Sequence, residues 1–137
     1  MSAHHPDLTS GLLGAVALGG AIGSLSRYGL AVALPHNAGS FAWSTFVVNV
    51  TGSFAMGLLV VWVLSLAEPH PWLRPFLGVG VLGGWTTFSS YALDIHTMAV
   101  GGHQGLAAAY LVGSLVVGLA AVGLGVSLGE LVFGRRR

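Results

Sequence analysis

The feature that most restricts this chain is the length of its uncharged runs. Residues 28–67 and 95–129 contain no Asp, Glu, Lys or Arg. A helix needs about 20 apolar residues to cross the roughly 30 Å hydrocarbon layer of a bilayer, and each run is long enough for such a crossing. Soluble domains carry about 25% charged residues; this chain carries 7%, with 54% apolar. It reads as an all-α integral membrane protein. Its 137 residues form one domain, 1–137.

Turn-forming stretches divide the domain into four. PHNAGS (35–40), AEPHPW (67–72) and GGHQG (101–105) are rich in helix breakers. They leave transmembrane segments near residues 8–34, 41–66, 74–100 and 106–133. Short loops force neighbouring helices to pack antiparallel, and four crossings put both termini on one side. No Lys or Arg precedes the first apolar run. That run lacks the basic start of a cleavable signal peptide and is expected to be retained as a helix. Trp43 and Trp72 stand at segment ends, where aromatic belts form. Arg74 and the final RRR favour termini in the cytoplasm, with at most Arg27 on the other side. Gly19 and Gly23, and Gly125 and Gly129, have the four-residue spacing that lets helix backbones approach. Glycine is also simply common in membrane helices, and spacing does not separate the two readings.

Several function classes drop out. A net charge of +1 with no basic stripe gives no grip on nucleic acid. The absence of cysteine excludes disulfides, thiolate metal sites and a cysteine nucleophile. No paired carboxylates, metal-ligand cluster or nucleophile–base arrangement points to an enzyme. The six histidines fall in the N-terminal tail, the loops or segment ends. Arg27 and Asp94 are the charges nearest the interior, each close enough to a segment end to snorkel or pair.

The few polar residues at depth therefore carry the information, because such groups face protein or a wet cavity. Thr45, Asn49 and Ser53 stand at i, i+4 and i+8, one stripe on the second helix. Tyr110 and Ser114 repeat that step on the fourth, followed by Gly118. Each stripe suits interhelical hydrogen bonding as well as a polar path; together they favour a shared track. The third segment is the anomaly. LGGWTTFSSY (82–91) puts poor helix formers and hydroxyls in the middle of an apolar run. Non-helical backbone at depth is tolerated only in protein or beside a cavity. Unwound carbonyls there can hold a small cation, and half-helix N-termini attract anions; a glycine kink made for packing is the plainer alternative. Phe88 and Tyr91 share a face, and ring edges are weakly positive, although an aromatic pair at this spacing is also ordinary packing.

GGAIGSLSRY (19–28), STFVVNVTGSF (44–54) and GVLGGWTTFSSY (80–91) resemble the three signature blocks of the Fluc/CrcB fluoride channels, in spacing as well as in residues. The resemblance implies a passive fluoride channel in the cell (inner or plasma) membrane. It implies an antiparallel dual-topology homodimer, its third helix broken near the middle. A structural sodium ion would sit at the dimer centre on the backbone carbonyls of Gly83 and Thr86. The fluoride pathway would use Asn49, Thr45, Phe88, Tyr91, Tyr110 and Ser114, with Arg27 matching a structural arginine. Three departures stand out. Tyr91 replaces a usual Phe, Gly118 replaces a frequent Ser, and RRR gives a positive bias that suits a fixed orientation beside an oppositely oriented paralogue. The rival readings are a four-helix dual-topology multidrug exporter and a non-transporting membrane scaffold. The exporter needs a carboxylate deep in its first helix, and residues 8–26 contain none.

Overall fold

The computed structural model describes residues 6–134, and every regular element among them is helical. His4, His5 and the terminal RRR, with the orientation bias read from it, lie outside the described residues. Helix α1 is Pro6–Ala33 and α2 is Trp43–Ser65. Pro75–Leu82 winds as a π-helix and runs into one α turn, Gly83–Trp85; the two together are α3. Then follow α4, Phe88–Val100, and α5, Gln104–Phe133. Among the described residues, three helices are long and apolar enough to cross a membrane: Ser10–Ala33, Trp43–Ser65 and Gln104–Phe133. The fourth rod is α3 followed by α4, in two pieces.

The interruption falls on Thr86 and Thr87. Both are extended, with φ −79° and ψ 158° at Thr86, and φ −150° and ψ 123° at Thr87. Two glycines and two β-branched residues offer the helix little intrinsic support here. Thr87 also supplies a start signal, since its Oγ1 accepts the Ser90 N–H at 3.2 Å and caps α4. The break changes the segment's neighbour: α3 lies along α1, whereas α4 lies along α5.

Glycine makes the first of these contacts possible. A Cβ on Gly80 would stand 2.9 Å from the Gly19 Cα, and one on Gly23 would run into the Val81 carbonyl and the Trp85 nitrogen. On the other side of the molecule α2 and α5 pair in the same way, Gly57 against the Val122 carbonyl and Gly125 against the Phe54 carbonyl. The spacing of Gly19 and Gly23 is thus used for backbone-to-backbone packing, the main attraction available where lipid is as apolar as the side chains; of Gly125 and Gly129, the first meets backbone and the second the Val61 side chain. The π winding was not anticipated from the sequence. The Gly83 N–H reaches back to the Gly78 carbonyl, an i to i−5 closure. Gly78 and Gly80 carry no side chain to crowd that wider coil.

Buried Ala42, Tyr91, Met98, Ala107 and Tyr110 form an apolar cluster, where the start of α2 meets α4 and α5. His36, in the α1–α2 loop, contacts Asp94 of α4 through Nε2 and Oδ1 at 3.1 Å. Asp94 therefore pairs rather than snorkels, and its Oδ2 is buried without a partner among the described residues.

Candidate functional site

The site grows out of the backbone of the break. In a continuous helix the Thr87 N–H would close on the Gly83 carbonyl, and the Ser90 N–H on that of Thr86. Neither does. The Thr87 N–H donates to Asn49 Oδ1 at 2.8 Å, and Asn49 Nδ2 donates to the Thr87 carbonyl at 2.9 Å. Asn49 thus clamps the peptide groups on both sides of Thr87, from a helix that would otherwise meet unpaired backbone. The Ser90 N–H goes to the Thr87 hydroxyl. The Thr86 carbonyl receives Arg27 Nη1 at 2.9 Å, which places the guanidinium on the break itself. One residue earlier, Trp85 Nε1 donates to Thr51 Oγ1 at 2.9 Å, locking α3 to α2.

Two cavities flank this clamp. The first, about 210 Å³, is lined by Ser24, Arg27, Ser44, Thr45, Thr87 and Ser90, among others. The second, about 230 Å³ and open to the surface, is lined by Asn49, Ser53, Phe88, Tyr91, Ser114 and Gly118, with apolar residues of α5 completing the lining. Thr87 borders one and Asn49 the other, so their hydrogen-bonded pair stands between the two. The first cavity carries a fixed positive charge. The second is walled by hydroxyls, one amide and aromatic rings.

The structure divides the residues singled out in the sequence. Asn49, Phe88, Tyr91 and Ser114 come together at the second cavity. Thr45, from the same stripe as Asn49, lines the first cavity instead, together with Arg27. Tyr110 lines neither cavity and is fully buried. Its hydroxyl lies beside Thr45 and Asp94, whereas that of Ser114 is buried with no hydrogen-bond partner among the described residues. Phe88 is 79% exposed on this single chain, which leaves its ring free on the protein surface beside the break. The rings of Phe88 and Tyr91 lie 5.9 Å apart, Tyr91 and Tyr110 5.6 Å, and Tyr110 and Phe41 5.0 Å with planes at 87°. This row runs from the break toward the start of α2.

Sequence reasoning missed Thr87 as the partner of Asn49 and Phe41 as the continuation of the ring row; it put Ser53 on the polar stripe of the second helix but not among the pathway residues. The stripe of Thr45, Asn49 and Ser53 did contain the signal for Ser53. Nothing in the local sequence pairs Asn49 with Thr87. Among the described residues no group of three His, Asp or Glu side chains could hold a metal ion.

Apolar helices around a clamped, polar break define a small helical membrane protein. Comparison with known proteins makes this specific. Residues 14–126 match the family described as CrcB-like protein, Camphor Resistance (CrcB). The chain belongs to that family. It is 45% identical over 132 residues to the fluoride-specific ion channel FluC 2 of Nocardia farcinica, covering 96% of this chain and 94% of that protein. It is 48% identical over 119 residues to fluoride-specific ion channel FluC of Agrobacterium fabrum, covering 86% and 95%. With fluoride-specific ion channel FluC 3 of Streptomyces avermitilis the identity is 45% over 129 residues, 94% of this chain and 63% of that longer protein.

Proposed function

We propose that this protein is a passive, fluoride-selective channel that exports fluoride across the cell membrane. The observation that carries the reading is the Asn49–Thr87 clamp, with a cavity of hydroxyls and ring edges on one side and an arginine-lined cavity on the other. The naming of the FluC relatives supports it. Fluoride holds its water tightly, so donors must replace that shell, yet bind weakly enough to let the ion leave. Arg27 raises the local concentration of anions in the first cavity. The partner-free hydroxyl of Ser114 and the edge of Phe88 offer uncharged contacts in the second. Thr45 is assigned to the arginine side of the path, and Tyr110 to its buried wall.

The pathway is completed by a second chain, as an antiparallel dual-topology homodimer or with an oppositely oriented paralogue. Phe88, left bare on one chain, supports this. A sodium ion at the dimer centre would be held by the Gly83 and Thr86 carbonyls of both copies. Both carbonyls have lost their helical donors, and carbonyl oxygens suit a hard cation. Arg27 already occupies one lone pair of the Thr86 oxygen, so the cation would share that oxygen with a guanidinium. Bound there, it would lend the corridor a positive field without a titratable side chain.

The test is fluoride efflux from proteoliposomes, read with a fluoride electrode after valinomycin opens a potassium path. Rapid efflux is expected without any proton gradient, with chloride retained. Efflux that required a proton gradient would instead favour an exporter, and none at all would favour a scaffold.

Tyr91 yields a smaller prediction. Its hydroxyl donates to the Leu111 carbonyl at 2.8 Å, so it is already engaged with α5. Tyr91→Phe should therefore leave fluoride efflux within about threefold of wild type while lowering stability by about 1 kcal/mol, one ordinary hydrogen bond. Efflux and thermal unfolding in detergent, measured on the same preparation, check both halves.

A further inference from the structure

The geometry points to Ser53 as a donor on the ion path, supplying the hydroxyl that the polar line of α5 lacks at Gly118. This rests on the channel reading above and adds a residue to it.

Few free donors surround the second cavity. Four polar side chains line it: Asn49, Tyr91, Ser114 and Ser53. The Tyr91 hydroxyl is committed to the Leu111 carbonyl. Asn49 has spent its oxygen and one N–H on Thr87, so a single amide N–H remains. That leaves two hydroxyls. Ser114 Oγ is buried with no partner among the described residues. Ser53 also makes no hydrogen bond among the described residues. This is unusual for a helical hydroxyl at depth, which commonly bonds back to its own helix. Thr51, two residues earlier, does so, its Oγ1 donating to the Val47 carbonyl at 2.6 Å.

The position of Ser53 explains what its free hydroxyl faces. On α5 the line Tyr110, Ser114, Gly118 advances one turn per step and ends on a residue without a side chain. The Ser53 Oγ lies 3.7 Å from where a Cβ on Gly118 would stand, and nothing else comes within 4 Å of that point. Ser53 therefore projects into the gap at Gly118, at the level where the α5 line runs out. Beyond it the lining turns to Leu119 and Val122. An ion leaving Asn49 and Ser114 on that side meets Ser53 as its last donor.

The experiment follows from that gap. Ser53→Ala should slow fluoride efflux from proteoliposomes about tenfold or more, the loss of one hydrogen bond to a charged species. Gly118→Ser adds a side chain in ordinary contact with its surroundings. In the Ser53→Ala background it should return efflux to within about threefold of wild type, because it puts a hydroxyl back into the same space. A merely structural Ser53 would not be rescued from the opposite helix. Ser53→Ala at the wild-type rate, or a slow Ser53→Ala that Gly118→Ser fails to restore, overturns the assignment. If Ser53→Ala does not elute as a single folded species, Ser53→Cys takes its place. It keeps the size but not the strong donor, and full efflux through it likewise overturns the assignment. Wild-type vesicles run in parallel separate the two levels. No efflux from them overturns the channel reading; with normal wild-type efflux, the variants alone decide the role of Ser53.

Discussion

Asn49→Asp is expected to reduce fluoride efflux by two to three orders of magnitude while leaving the protein able to fold. The two side chains have nearly the same shape, so Oδ1 can still accept the Thr87 N–H, as it does at 2.8 Å in the native chain. The other arm changes sign. Where Nδ2 donates to the Thr87 carbonyl at 2.9 Å, a carboxylate would set oxygen against oxygen. It would also place a negative charge on the wall of the second cavity, between it and the first. A unit charge about 4 Å from a passing anion costs about 4 kcal/mol at an effective dielectric of 20. That corresponds to roughly a thousandfold in rate. Efflux per folded channel, normalised to the monodisperse fraction recovered in detergent, is the measurement. A variant conducting at the wild-type rate would remove Asn49 from the pathway.

Gly23→Ala is expected to abolish the folded protein, whereas Gly20→Ala, three residues earlier on the same helix, should be tolerated. A Cβ on Gly20 meets nothing within 4 Å. On Gly23 it would run into the Val81 carbonyl and stand 2.8 Å from the Trp85 nitrogen. Both obstacles are backbone, which cannot swing aside as a side chain can. Overpacking costs about 1–3 kcal/mol where side chains adjust; against backbone the cost should reach or exceed the upper end. The strain would fall on Val81 and Trp85, immediately before the break, so any surviving protein should also lose the Trp85–Thr51 hydrogen bond. Size-exclusion profiles and thermal unfolding in detergent check the pair. Equal behaviour of the two variants would show that the α1–α3 contact is looser than the structure has it.

Much of the candidate site was legible for a definite reason. Asn49, Ser114 and the hydroxyls near residue 87 stood out because polar groups at bilayer depth are few and costly. The weak segment stood out because glycine and threonine are poor helix formers wherever they occur. The orientation of those groups was not legible. Thr45, Asn49 and Ser53 form a single stripe on paper. In the fold they serve the arginine cavity, the clamp and the ring-lined cavity respectively. The stripe crosses the level of the break, and what each residue faces there belongs to other helices. Arg27 reads as a structural arginine in sequence; its contact with the Thr86 carbonyl required the approach of α1 to α3 that Gly19 and Gly23 permit.

The sequence by itself determined that this protein is helical, where its helices stop, and that the third is interrupted. Those properties follow from run length, breakers and propensity, which act over a few residues and need no knowledge of neighbours. Only the tertiary structure decided that the interruption is held open by Asn49, that α3 and α4 lean on different partners, and which hydroxyls are left without a bond. Those outcomes depend on hydrogen bonds between groups distant along the chain, as with Asn49 and Thr87, 38 residues apart. A donor's partner at such a distance is set by how the backbones pack, and here that packing is set by glycines whose only contribution is the absence of a side chain.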